Sequence, residues 1–117
     1  MAYTKKARVF GRPSNQRRAL IRGLARSLVL HETIETTEAK AKELRPFIER
    51  LVTYAKTNTL ASRRRAQTKL QDPEAVKKLF TAIGPRYTTR PGGYTRVVKR
   101  TKRGTNDARK LAYIAFV

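Results

Sequence analysis

Hydrophobic positions along this chain follow two periods. Over residues 15–30, Leu20, Ile21, Leu24, Ala25 and Leu28 share one face of a helix at about 100° per residue. Arg18, Arg22 and Arg26 line the opposite face at i, i+4 spacing, with Arg17 in the first turn and Gly23 bordering the arginines. Ser14, after Pro13, is the expected N-cap. Residues 32–36 alternate and are rich in Thr and Ile, which predicts a short strand. Thr37 then caps a helix running to about residue 57, with Glu38 suited to its first-turn dipole. Its core arc is Ala41, Leu44, Phe47, Ile48, Leu51, Val52 and Ala55. On its polar face Glu38–Lys42 and Arg45–Glu49 are spaced to pair, and Pro46 is expected to kink or split the helix near Arg45.

A weaker helix is predicted over 60–70, where the adjacent Arg63, Arg64 and Arg65 span about 200°, so at most two can meet one partner. The next opens clearly with Asp72 as N-cap, Pro73 at N1 and Glu74 in the first turn. Val76, Leu79, Phe80 and Ile83 form its apolar stripe, and Gly84-Pro85 is expected to stop it. Residues 94–100 read as a strand. A polar loop over 101–110 follows, then a strand over 111–117, the last two strands forming an antiparallel hairpin with a long basic loop. The predicted fold class is α+β, a two-layer α/β arrangement in the order helix, strand, three helices, two strands. Helices cover a small three-stranded sheet. Residues 1–13 read as a basic N-terminal arm and 14–117 as a single domain.

Charge changes the picture from a small fold to a polyanion binder. The 117 residues hold 28 Lys+Arg against 8 Asp+Glu, a net +20, with only 39% hydrophobic residues. Arginine outnumbers lysine 17 to 11, and its planar fork suits phosphate. Residues 1–31 and 75–106 contain no acid, whereas 32–74 carry 9 cations and 7 acids. Two acid-free blocks thus flank a nearly balanced scaffold. The densest stretch, 84–103, interleaves Arg86, Arg90, Arg96, Lys99, Arg100, Lys102 and Arg103 with Tyr87 and Tyr94. Helix-breaking Gly and Pro residues keep its first half irregular.

No cysteine is present, which excludes disulfides and thiolate metal sites. The longest apolar run, 111–117, is far short of the about 20 residues of a membrane span, and a soluble intracellular protein is expected. His31, the only histidine, lacks a triad or ligand set, so a structural or RNA-contacting role is expected for it.

Two blocks carry a family resemblance: His-Glu-Thr-Ile-Glu-Thr-Thr-Glu-Ala-Lys-Ala-Lys-Glu-Leu-Arg from His31 to Arg45, and Gly-Pro-Arg-Tyr from Gly84 with Arg-Pro-Gly-Gly-Tyr-Thr-Arg-Val from Arg90 to Val97. With Tyr54-Ala-Lys56, Arg63-Arg64, Lys78-Leu-Phe80 and Ala112-Tyr-Ile114, the chain resembles the bacterial-type large-ribosomal-subunit protein seventeen family over about 15–117. Its opening Met-Ala-Tyr-Thr-Lys-Lys-Ala departs from the short Arg-His start usual there. The resemblance implies a two-layer α/β domain bound to large-subunit rRNA near the nascent-chain exit. It also implies neighbouring large-subunit ribosomal proteins as partners, no cofactor and no enzymatic activity. The implied location is on ribosomes, in the bacterial cytoplasm or an organelle.

Independently of the resemblance, a structural RNA-binding protein explains the charge blocks. Its candidate contacts are Lys5, Lys6, Arg8 and Arg12 in the arm, Arg18, Arg22 and Arg26, Arg63 and Arg64, then Arg86, Arg90, Arg96, Lys99, Lys102 and Arg103. Tyr87 and Tyr94 are candidates to stack on unpaired bases, the alternative being core packing. A DNA-compacting protein is the second reading from composition. An enzyme is the third and weakest: no Gly-Lys-Ser/Thr follows Gly92-Gly93, and no carboxylate dyad stands out. Neither a small-molecule substrate nor a membrane partner is expected.

Overall fold

A computed structural model describes residues 14–103 and 110–117, the side chains of 101–103 excepted; the arm 1–13 and the loop centre lie outside the described residues. Helix α1 (Ser14–His31) leads into strand β1 (Thr33–Thr37), then α2 (Glu38–Thr57), α3 (Leu60–Leu70) and α4 (Pro73–Lys78). A π-helical turn, Leu79–Ile83, joins α4 to the single turn α5 (Gly84–Arg86), before β2 (Thr95–Arg103) and β3 (Lys110–Phe116). The three strands form one antiparallel sheet in the order β1-β3-β2, with Ile34, Ile114 and Val97 in one cross-strand row. This is the expected α+β arrangement, with helices against one sheet face.

The core explains why α2 is central. Ala41, Leu44, Ile48, Leu51, Val52 and Ala55 are all buried and meet α1, α3, the π turn and the sheet. Thr37 caps α2 by accepting from the Lys40 N–H, and Asn58 closes it in the left-handed region at φ 51. Of the two outcomes expected at Pro46, a kink or a split, the split does not occur: α2 is continuous, because packing along its buried stripe outweighs one lost backbone hydrogen bond. The weakly patterned α3 is held by a capping box, in which Ser62 and Thr59 exchange side-chain and backbone hydrogen bonds. Asp72 caps α4 as expected, through the Glu74 N–H at 3.0 Å.

Three expectations are corrected. Ser14 is the first residue of α1, and its hydroxyl accepts from Arg18. Gly84-Pro85 does not stop the helix. The Gly84 N–H reaches back to the Leu79 carbonyl across the π turn, and Pro85 sits in the first turn of α5, where a missing N–H costs little. Gly84 is helical, at φ −54, and buried. Its role is contact: a Cβ there would lie 2.8 Å from the Ala55 Cβ and 3.0 Å from the Ala55 carbonyl. Finally, β2 continues to Arg103, paired with Lys110 beyond an irregularity after Lys99, so the connecting loop is shorter than expected.

The contact at Gly84 predicts that Gly84→Ala destabilises the protein by about 1–3 kcal/mol, since two helix backbones must part. Gly23 is the control: it is helical with nothing within 4 Å of an added Cβ. Gly23→Ala should stabilise by roughly 0.5–1 kcal/mol. Urea unfolding of the isolated protein measures both.

Candidate nucleic-acid interface

The few carboxylates decide which cations are available. Glu32 receives Arg86 at 2.6 Å and Lys78 at 3.3 Å. Glu35 receives Arg100 at 2.6 Å. Glu38 pairs with Lys42 at 2.8 Å, as its spacing predicted, and also with Lys99 at 3.4 Å. The block 75–106, acid-free in sequence, is therefore partly neutralised in space by glutamates set three residues apart. Glu49 does not take Arg45. Its carboxylate instead accepts from the Tyr94 N–H at 3.3 Å, the Thr95 N–H at 2.9 Å and the Thr95 hydroxyl at 2.9 Å, tying α2 to the start of β2.

The helical arginines have different positions. Arg22 and Arg26 do not stand free on a solvated face. Arg22 Nε donates to the Lys69 carbonyl at 3.2 Å, and Arg26 Nε to the Leu70 carbonyl at 2.7 Å, with a second Arg26 contact to the Gln71 carbonyl. They cap the C-terminus of α3, where positive charge suits both the orphan carbonyls and the helix dipole. This clasp brings the arginine face of α1 to α3, an element without any acid. Of the three adjacent arginines, Arg63 is held by Asn58 Oδ1 at 3.2 Å and lies 5.3 Å from the Phe80 ring centroid. Arg64 and Arg65 remain exposed with Lys69, and none of the three has an ion pair among the described residues. Arg65 and Lys69 were not among the candidates named from the sequence. The signal available was the absence of any carboxylate between Leu60 and Leu70.

Tyr87 and Tyr94 are core residues, 4% and 3% exposed, with ring centroids 5.4 Å apart. The Tyr87 hydroxyl donates to the Val117 carbonyl at 2.6 Å, and the Tyr94 hydroxyl accepts from Lys56 Nζ at 2.8 Å. Packing, not base stacking, is what this arrangement provides, because neither ring has an open face. Arg90 bends back to the Gly92 carbonyl at 3.1 Å, Arg96 is exposed without a partner among the described residues, and His31 is exposed at the end of α1. Lys5, Lys6, Arg8, Arg12 and the side chains of Lys102 and Arg103 lie outside the described residues. Among the described residues no three His, Asp or Glu side chains gather to hold a metal, and no helix is long and apolar enough to cross a membrane.

The Arg86 hydrogen bond holds the Glu32 carboxyl below the usual carboxylate range, with Lys78 adding to it against some desolvation. The reciprocal effect raises Arg86. Glu38 is lowered too, first by its hydrogen bond to Lys42. A lowered native pKa gives stability that is present above the ordinary carboxylate value and lost as pH falls through the native one. Glu32 is partly exposed, so Glu32→Gln should cost no more than about 1 kcal/mol at neutral pH. In urea titrations the two proteins should converge as the acid range is entered.

Comparison with known proteins accords with this basic α+β architecture. Residues 20–117 match the family described as Ribosomal protein L17. The chain is also 55% identical, over 100% of its length and 99% of the relative's, to the "Large ribosomal subunit protein bL17" of Hydrogenobaculum sp. (strain Y04AAS1). The chain therefore belongs to the ribosomal protein L17 family, a structural constituent of the large ribosomal subunit in translation and not an enzyme.

Proposed function

We propose that this chain holds its place in the large subunit by binding large-subunit rRNA through several separate basic surfaces. The observation that carries this reading is the seam between α1 and α3. Arg22 and Arg26 are fixed there by backbone carbonyls, beside Lys69 and the exposed Arg64 and Arg65. An arginine whose Nε is already held has less side-chain freedom to lose, and the terminal nitrogens of Arg22, for which no bond is seen among the described residues, are left to bind a phosphate. Arg18 lies one turn before Arg22 on α1, and the candidate contacts Lys5, Lys6, Arg8 and Arg12 precede that helix in the sequence. Arg90, ahead of β2, offers a second contact, and the candidates Lys102 and Arg103 belong to the other end of that strand, their side chains outside the described residues. Arg63, Arg86 and Lys99 contribute less, being engaged within the protein.

Membership of the family supports further detail: a site near the nascent-chain exit, contact with neighbouring large-subunit proteins, and residence on cytoplasmic ribosomes. A DNA-compacting role is disfavoured by the same membership.

If 6–10 phosphates are contacted, affinity for purified large-subunit rRNA should fall about 10³–10⁵-fold between 50 and 200 mM salt. Replacing Arg64 and Arg65 together with alanine should lower the logarithmic salt slope by about 2 without changing the unfolding midpoint. A slope unchanged in that variant removes α3 from the interface, and a flat salt response in the parent protein rejects phosphate contact altogether.

A further inference from the structure

The central strand is apolar on both faces. Ala112 and Ile114 point into the core, while the alternate positions Leu111, Tyr113, Ala115 and Val117 face away from the helices. An antiparallel sheet with one wet face normally alternates apolar and polar residues. A strand apolar on both sides is the pattern of one covered on both sides. Helices cover only one. Val98, opposite Tyr113 on β2, widens the outward stripe. Five large hydrophobic side chains are exposed among the described residues, and three of them, Val98, Tyr113 and Val117, lie here. The rim is polar: Thr33 and Glu35 on β1, Arg96 and Arg100 on β2. Arg100 is fixed between the Glu35 carboxylate at 2.6 Å and the Tyr113 ring, 5.1 Å from its centroid.

We propose that this outer sheet face is the docking surface for a neighbouring protein, which lays an apolar segment along β3 and sets a carboxylate against Arg96. An apolar centre with a polar rim is the anatomy of a protein interface. RNA fits it poorly: Leu111, Ala115, Val117 and Val98 offer nothing to stack on, and the Arg100 guanidinium already lies over the ring of Tyr113. Arg100 is already engaged, and Glu35 would be turned toward phosphates. A second copy fits worse, because two chains of formal charge +20 repel. The one rim cation without a partner among the described residues is Arg96, so charge complementarity asks the incoming protein for an acid at that point. The surface is separate from the α1–α3 seam, and the proposal stands whether or not the rRNA reading does.

The test uses assembled large subunits carrying the photoreactive p-benzoylphenylalanine in place of Tyr113. The expected result is a cross-link to one subunit protein, at an apolar segment with an Asp or Glu beside it, that survives ribonuclease. Hydroxyl-radical labelling of the native Tyr113 ring should fall about tenfold from the free protein to the subunit. A cross-link to rRNA or to a second copy, or equal labelling in both states, overturns the proposal. Val98→Asp supplies an independent arm. Being at an exposed position, it should leave the thermal midpoint and the affinity for isolated rRNA unchanged, while retention of the cross-linked protein in the subunit drops about tenfold. Unchanged retention likewise overturns it.

Discussion

The scarcity of negative charge governs this molecule. Eight carboxylates must serve twenty-eight cations, and the fold uses four of those described as long-range ties. Glu32, Glu35 and Glu38, set along β1 and the start of α2, reach Lys78, Arg86, Arg100 and Lys99 in the second half of the chain. Glu49 anchors the first residues of β2. Each pair is exposed enough that its own stabilisation is small. Together they determine which cations stay available. Among the described residues, the arginines of α1 and α3 are left without a carboxylate partner.

Apolar packing supplies what the ion pairs cannot. α2 is surrounded, and its neighbours approach closely enough that at Gly84 only a hydrogen fits against Ala55. The π turn before it lets the helical rod pass Pro85 and bury Leu79, Phe80 and Ile83 in succession. The paired rings of Tyr87 and Tyr94 then lock the irregular segment between that rod and β2, adding roughly 0.5–1.5 kcal/mol beyond their buried area.

Much of this was legible in the sequence, and the reasons differ by element. Cap and period signals located α2 and α4, because Thr37 and Asp72 act on their own nearest turns, whereas α3 was read from a weaker pattern and its Thr59 cap came from the structure. The hairpin of the last two strands followed from alternation and the intervening loop. What could not be read was anything settled by distant residues. The i, i+4 spacing of Arg45 and Glu49 suggested a pair, yet Glu49 serves backbone N–H groups that only the folded sheet brings near. Arg22 and Arg26 matched a phosphate-facing stripe, but the carbonyls they bind belong to α3. Tyr87 and Tyr94 sat among arginines in the sequence and among apolar groups in space. Local chemistry was visible, and the choice between equally plausible partners was not.

The strand order also constrains how the chain reaches this state. Among the described residues β1 pairs with β3 alone, so Thr33 waits for Ala115 and Ile34 for Ile114. During synthesis the helices have sequence-local work to do at once, whereas β1 emerges with its hydrogen-bonding edge bare and keeps it so until β3 has been added. Closing so long a loop is slow. Through that interval the surplus of like charge has an effect of its own, keeping half-made copies apart.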